Sequence, residues 1–338
     1  MIQHNKPTIG EKEYNAAKKV LASGYIAQGK EVKKFENEFC EFLGLPEEHA
    51  VALSSGTSAL YLALWCLDGI NKTIAFPSYV CSSLRNAVAM AQSREVLIDN
   101  DVESPNMSLG KLEKVNANIA IIPHMFGIPS EIHGIKNMDV IEDCAQSLGS
   151  SIGGIKTGLL GKVGIFSLYA TKVITSGGQG GIFVSKDKHL VDKVRDYREF
   201  DSRKDKNKRF NFQMTDLQAA IGRAQLTQLP SFLKRRGQIF SMYKDAGLDL
   251  LESKNLDSDP INYRAVINVS NPNEVKEKLF KNKIKSIIPI EDWELLDRGP
   301  EFKNAYKLTQ ETLSLPIYPS LTDKEVIKVI NNLQDSIR

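Results

Sequence analysis

Several familiar signatures are missing from this 338-residue chain, and each absence removes a class of function. No apolar run approaches the roughly 18 residues needed to span a bilayer, and the opening Met1-Ile-Gln-His-Asn5 lacks the charged and apolar regions of a secretory leader. Neither GxGxxG nor GxxxxGK followed by Ser or Thr occurs, so the sequence gives no support to a dinucleotide or P-loop site. The five histidines are scattered and contain no HExxH, and no metal site is expected. The four cysteines, Cys40, Cys66, Cys81 and Cys144, show no CxxC pair and read as reduced core thiols. A net charge of +3 is too small to argue for nucleic acid, and the basic run Arg203-Lys-Asp-Lys-Asn-Lys-Arg209 reads as a solvated loop. The expectation is a cytoplasmic protein with no membrane and no nucleic-acid partner.

What is present is ordinary globular material, 42% hydrophobic and 25% charged, in a chain long enough for two domains and a large core. Periodicity predicts a helix over Glu11–Ser23 closed by Gly24, then a second over Glu31–Leu43 with Val32, Phe35, Phe39 and Phe42 on one stripe. Short apolar runs then alternate with helical stretches: Val51-Ala-Leu, Thr73-Ile-Ala-Phe, Glu95-Val-Leu-Ile, Ile119-Ala-Ile-Ile, Asp139-Val-Ile, Val163-Gly-Ile-Phe and Gly181-Ile-Phe-Val. Alternation of this kind predicts an α/β fold with a largely parallel sheet covered on both faces. After Met214, Thr215 is a plausible N-cap for a helix with Leu217, Ile221, Ala224 and Leu226 spaced for burial until Pro230. The remainder predicts a strand at 263–269, a helix from Asn273, a strand near 284–288 and a last helix from Thr322. We therefore expect a large domain over 1–235 and a small α+β domain over 236–338.

Three segments carry possible chemistry. Lys172 closes Gly164-Ile-Phe-Ser-Leu-Tyr-Ala-Thr-Lys172, after an apolar strand, with Ser167 before it and the glycine-dense Gly177–Gly181 turn behind it. Burial would make such an amine a nucleophile suited to Schiff-base formation; a surface lysine is the plainer alternative. Ser54-Ser-Gly-Thr-Ser58 follows a strand and opens a helix, where free N–H groups and the positive dipole end suit a phosphate, although for this stretch alone a simple cap by Ser55 or Thr57 is the favoured reading. Glu142-Asp143 ends a buried strand, where open α/β sheets bind ligands. Asp143 is then a candidate partner for a cationic ring nitrogen, or a turn cap, while Glu142 points to the other face. Pyridoxal phosphate needs a Schiff-base lysine, an acid, a phosphate cup and an aromatic face. Lys172, Asp143, Gly56-Thr57 with Ser167, and Tyr79 would supply them.

Over nearly its whole length the chain resembles the DegT/DnrJ/StrS sugar aminotransferases, fold type I pyridoxal phosphate enzymes. The resemblance rests on Ser23-Gly-Tyr-Ile-Ala-Gln-Gly29, Ser55-Gly-Thr57, Phe76-Pro-Ser-Tyr79, Pro123-His-Met-Phe-Gly127, Glu142-Asp-Cys-Ala-Gln146, Thr171-Lys172, Asn211 to Ala220 and Leu315-Pro-Ile-Tyr-Pro319, in that order. It implies that Lys172 is the Schiff-base lysine, that Asp143 meets the pyridine nitrogen and Gln146 the ring hydroxyl. It also implies that Gly56, Thr57 and Ser167 hold the phosphate, that Tyr79 stacks on the ring, and that Asn211 reaches the phosphate of a neighbouring subunit in a homodimer. The implied reaction is ping-pong amino transfer from L-glutamate to a keto-sugar, most often nucleotide-linked. A cyclitol or keto-octulosonate acceptor is the main alternative. A pyridoxamine-dependent dehydratase, which replaces the lysine with histidine, and a non-catalytic relative are weaker ones. Gln213 and Ile287-Ile-Pro-Ile-Glu-Asp-Trp293 depart from the family's Arg and His-Tyr residues, which leaves the sugar open.

Overall fold

A computed structural model describes residues 1–337. The first half runs α1 (Glu11–Ser23), α2 (Lys30–Leu43), β1 (Ala50–Leu53), α3 (Gly56–Cys66), β2 (Thr73–Pro77), α4 (Ser83–Met90), β3 (Arg94–Ile98), α5 (Leu109–Leu112), β4 (Ile119–Pro123) and β5 (Asp139–Asp143). There follow β6 (Ser151–Ile152), β7 (Ile155–Lys156), β8 (Val163–Ser167), β9 (Gly181–Val184), α6 (Lys188–Arg198), α7 (Asp216–Leu226) and α8 (Leu229–Asp245). The last part contains β10 (Ser258–Asp259), β11 (Ala265–Asn268), α9 (Pro272–Lys281), α10 (Lys303–Glu311), β12 (Thr312–Leu315) and α11 (Asp323–Ile337).

Seven strands form one sheet in the order β1-β9-β8-β5-β4-β2-β3, and only β9 runs antiparallel to its neighbours. The expected α/β fold with a mostly parallel mixed sheet is what the chain adopts. Strand residues alternate between two cores: Val51, Leu53, Ile121, Ile165 and Phe183 pack under α3, α4 and α6, while Ala50, Ala52, Phe166, Ile182 and Val184 pack under α2 and α7. Phe35 and Phe39 of α2 are fully enclosed in the second core, each contributing about 1.5–3 kcal/mol by burial. Phe42, at the end of the same stripe, is only half-buried. Three of the cysteines are buried thiols, but Cys81 is exposed at the start of α4 rather than in the core.

The expected N-cap Thr215 accepts the Gln218 N–H, but the buried face of α7 is not the one the spacing predicts. Ala219, Gly222, Gln225 and Leu226 are inside, whereas Leu217, Ile221 and Ala224 are half-exposed. The reason is close approach: a Cβ on Gly222 would stand 2.7 Å from the Phe35 ring, so α7 packs on α2 through its small residues. Pro230 ends nothing by itself; it occupies the first turn of α8, where its missing N–H costs no hydrogen bond.

The C-terminal elements build a third core on the antiparallel pair β11 and β12 with α8, α9 and α11. A division after residue 235 passes through the middle of α8, and Ile2 pairs with Ile284 and joins this third core, so the N-terminal arm packs with the small domain. No strand forms over 284–288. Ile284 bridges Ile2 and Ile287 bridges Ser314 on different partners, and the segment crosses between them as single bridges. Among the described residues no helix is long and apolar enough to cross a membrane.

Candidate active site

The carboxyl ends of β1, β2, β4, β5 and β8 open onto one edge of the sheet, and the turn entering β9 meets them there. Chain leaving β1 turns at Ser55, whose Oγ accepts the Ser58 N–H at 3.1 Å and caps α3. This consumes one of the helix's free donors and leaves the Gly56 and Thr57 amides, by their position, with no intrahelical acceptor. Two close approaches shape the cup. A Cβ on Gly56 would lie 3.0 Å from Ser167 Cβ, and one on Gly181 would fall 2.2 Å from the Ser55 carbonyl oxygen. Glycine at both positions lets β8 and β9 come against the α3 N-terminus, where free amides and the Ser167 hydroxyl form a candidate anion site.

Lys172 does not sit on a strand. Strand β8 stops at Ser167, and Lys172 lies in the turn beyond, half-buried, with its N–H bonded to the Tyr169 carbonyl at 2.9 Å. Its ammonium stands 6.0 Å above the Tyr263 ring centroid. The turn is held from outside: the Thr171 carbonyl accepts from Asn5 Nδ2 at 2.7 Å and from Tyr263 Oη at 3.1 Å. Burial pushes the Tyr263 phenol up, but the charges of Lys172, Arg264 and Arg236 more than offset this and leave it below the usual tyrosine value.

Asp143 ends β5 and is buried. Burial raises its carboxyl, opposed by the Ala145 N–H, which bonds Oδ1 at 3.0 Å, and by the nearby Lys172 and His124. Asp143 thus caps its turn. Glu142 points to the opposite face and is fully used there. It accepts from His124 Nε2 at 2.9 Å and from the amides of Gly158, Leu160 and Gly161 at 2.7–2.8 Å. His124 Nδ1 accepts the Ser130 N–H, so Nε2 carries the proton. His124, Glu142 and Cys144 lie close together, but the histidine and carboxylate are already satisfied by one another and by backbone.

Gln146 accepts the Phe126 N–H through Oε1 at 2.9 Å, which leaves its NH₂ free to donate elsewhere. Phe126 is held at φ +61°, a left-handed conformation that is strained for a bulky residue, so that β4 can turn over Gln146.

The expected aromatic stacker does not fit. Tyr79 has no exposed surface, its ring packs edge-on to Phe126 at 6.4 Å, and its Oη is buried without a hydrogen-bond partner. A ring that stacks on a ligand must present a face to the cleft, and this one supports the wall from behind. Asn211 lies exposed, its Oδ1 accepting the Gln213 N–H, and takes no part in its own chain's cup. Lys172, Asp143, Gln146, Ser167, Gly56 and Thr57 occupy the same sheet edge. Sequence reading missed Asn5 and Tyr263, which meet the Thr171 carbonyl from far along the chain with no local motif to mark them.

An open α/β sheet with a lysine, a buried carboxylate and an anion cup on its carboxyl edge is the framework of an enzyme built around one amine. The chain belongs to the DegT/DnrJ/EryC1/StrS aminotransferase family, which it matches over residues 7–334, and it is an aminotransferase. It is 28% identical to the dTDP-4-dehydro-2,3,6-trideoxy-D-glucose 4-aminotransferase of Saccharopolyspora spinosa, over 100% of this chain and 97% of that protein. It is also 28% identical to the GDP-perosamine synthase of Escherichia coli O157:H7, over 98% of this chain and 97% of the relative. Among solved structures, the aminotransferase TlmJ of Streptoalloteichus hindustanus superposes with a TM-score of 0.93 at 26% identity, covering 99% of this chain and 98% of that one.

Proposed function

We propose that the protein is a pyridoxal phosphate-dependent aminotransferase that takes an amino group from L-glutamate and gives it to a keto-sugar, by alternation of two half-reactions at one site. The observation that carries this reading is the space kept open by Gly56 and Gly181 at the N-terminus of α3, on the sheet edge where β5 ends at the buried Asp143 and β8 ends at Ser167, five residues before Lys172. The residues fit the cofactor: glycines at 56 and 181 leave the space a Cβ would fill, and the cup offers amides and a hydroxyl to a phosphate. Bound there, pyridoxal phosphate supplies an electron sink for a substrate carbon that loses its proton.

Each protein group then has a task. The Gly56 and Thr57 amides with Ser167 hold the phosphate dianion, and the Gln146 NH₂ donates to the ring hydroxyl. Asp143 keeps a negative charge opposite the ring nitrogen. Lys172 anchors the cofactor at rest, then removes the α-proton of glutamate and returns a proton to the product carbon. Glutamate leaves as 2-oxoglutarate at the end of the first half-reaction, its amino group staying behind; in the second the same lysine works in reverse on the acceptor, and the ketone becomes an amine.

Relatives that act on dTDP-linked and GDP-linked sugars support a nucleotide-linked keto-sugar as acceptor. A homodimer is part of the same reading. Asn211 is exposed, and Tyr25, Ile26, Tyr169 and Phe210 leave apolar surface uncovered. A second copy would cover that surface and bring its own Asn211 toward the cup.

The test is an absorbance spectrum of the purified protein with pyridoxal phosphate, before and after L-glutamate. Conversion of the visible band of the lysine-bound cofactor into the near-ultraviolet band of the amine form establishes the donor half-reaction. A panel of dTDP-, GDP- and UDP-linked 4-keto and 3-keto sugars then identifies the acceptor by return of the visible band. A visible band that ignores glutamate refutes the donor, and Lys172→Ala must abolish both band and turnover.

A further inference from the structure

Between α9 and the segment that follows it, the C-terminal part of the chain carries a cavity of about 430 Å³. None of the residues placed above at the sheet edge lines it. Its wall comes from the last turns of α9 and from the stretch between Lys285 and Glu291. That stretch is tied to the N-terminal arm, since the Lys285 N–H donates to the Ile2 carbonyl at 2.9 Å and the Ile2 N–H to the Lys283 carbonyl at 2.8 Å.

The lining brings together groups that the fold leaves unused. Phe280 is a ring with 57% of its surface exposed. Lys281 and Lys285 are exposed and, among the described residues, have no carboxylate partner, whereas the neighbouring Lys276 and Lys278 pair with Glu291 and Glu274. Glu277 is the one carboxylate of the lining without a cation partner among the described residues; Glu291 is spent on Lys276 at 2.9 Å. Ser286 is 4% exposed and its Oγ is buried with no hydrogen-bond partner, an unmet cost that a polar ligand group can remove.

A flat ring, two free ammonium groups, a free carboxylate and an unsatisfied hydroxyl, around one cavity, are complementary to a nucleotide. The base has a face for Phe280, the phosphates have charge for Lys281 and Lys285, and ribose hydroxyls or base N–H groups have a use for Glu277. The volume falls within the range of about 300–1,000 Å³ usual for small-molecule sites. Because the lining comes from only two short segments, it suits a compact ligand better than an extended chain.

We propose that this cavity binds a nucleoside diphosphate, with its base on Phe280 and its phosphates on Lys281 and Lys285, at a site separate from the sheet edge that holds Lys172. It goes beyond the aminotransferase reading and does not depend on it.

Calorimetric titration of the cofactor-loaded protein tests the site, with UDP, dTDP and GDP as probes and uridine and inorganic pyrophosphate as the two halves of one of them. In wild type the diphosphates should bind more tightly than either half. Phe280→Ala should raise the Kd of this component by about 5–100-fold, the loss of one base stack. Lys281→Ala combined with Lys285→Ala should weaken nucleotides and pyrophosphate and leave uridine unchanged. Any nucleotide held at the sheet edge would form a second component that these substitutions do not touch. Equal affinities in wild type and variants would overturn the proposal, as would no binding of any probe to wild type. Pyrophosphate binding as tight as UDP, with no effect of Phe280→Ala, would also overturn it, leaving an anion site only. The three side chains are exposed, so their removal leaves the core intact, and circular dichroism checks the fold. Phe280→Leu, which keeps apolar bulk and removes the flat ring, carries the test if the alanine variant disturbs α9.

Discussion

Tyr263 donates its phenolic hydrogen to the carbonyl of Thr171 at 3.1 Å and so grips the residue immediately before Lys172 from 92 residues further along the chain. Asn5, from the N-terminal arm, donates to the same oxygen at 2.7 Å. Two segments remote in sequence thus converge on one peptide group, which sets where the Lys172 backbone lies in its turn. The lysine is placed by contacts from Tyr263 and the N-terminal arm as much as by its own strand.

Removing either grip alone should be tolerated, because the carbonyl keeps one donor. Tyr263→Phe is expected to cost about 1 kcal/mol of stability and to lower kcat about 3–10-fold. Combined with Asn5→Ala the loss should exceed the sum of the single effects, since both act on one oxygen. Steady-state kinetics of the four proteins of this cycle, with Tm alongside, measure it. A kcat of the double variant equal to that of wild type would show that the turn holds itself.

Asp143 makes a prediction with a definite sign. Its folded-state pKa is raised, chiefly by burial, so the cofactor-free fold favours the protonated acid. Its contribution to stability is then complete below the unfolded value of about 3.9 and is lost as pH rises through the folded pKa. Asp143→Asn cannot ionise. The Tm of the cofactor-free wild type should therefore fall relative to the variant as pH climbs above about 4, and a constant difference across the titration would refute the assignment. With cofactor and substrate added, the same variant should be nearly inactive, because the charge opposite the ring nitrogen is gone.

Gly181→Ala tests the cup by geometry. The new methyl would meet the Ser55 carbonyl oxygen at 2.2 Å, backbone against backbone, with no flexible side chain to give way. A cost of about 3 kcal/mol or more is expected, together with a raised Kd for pyridoxal phosphate. Gly56→Ala, whose nearest neighbour is Ser167 Cβ at 3.0 Å, should be milder in stability yet still weaken cofactor binding. Thermal denaturation and fluorescence titration with the cofactor separate the two effects. Normal cofactor affinity in folded Gly181→Ala would place the phosphate elsewhere.

The sheet was legible because its strands are buried on both faces and read as short apolar runs, Ile119-Ala-Ile-Ile and Gly181-Ile-Phe-Val among them. The candidate residues at or just beyond strand ends, Asp143, Ser167 and Lys172, stand out in the sequence for the same reason: strand ends locate the edge where such sheets bind ligands. Local pattern failed where packing, not polarity, decided. On α7, Gly222 against the Phe35 ring turned the buried face away from Leu217 and Ile221. It failed too at Tyr79, whose place after a strand suggested the cleft but whose ring turns into the core. Asn5, Tyr263 and Arg264 could not be read at all, since their partners lie 166, 92 and 260 residues away. Only the folded chain brings such groups together.

His4 joins these long-range contacts and should make the protein acid-sensitive. Its Nε2 lies 2.9 Å from Ser314 Oγ and 3.4 Å from Arg264 Nη1, an arginine that can only donate, so the ring accepts there as the neutral imidazole. Burial holds its pKa well below the usual value, and the positive charges of Arg264, Lys285 and Arg236 push it further down. A base depressed in the folded state contributes stability above its unfolded pKa of about 6.5 and loses it as pH falls through the folded value. Wild-type Tm should therefore drop between about pH 7 and 5 relative to His4→Asn, which cannot take up a proton. This runs opposite to the trend from Asp143, so each single variant should flatten a different side of the pH–Tm curve. If the acid limb is unchanged in His4→Asn, protonation of this ring is not what loosens the arm from the small domain. If it flattens, the arm that holds Thr171 through Asn5 is coupled to pH through the neighbouring residue.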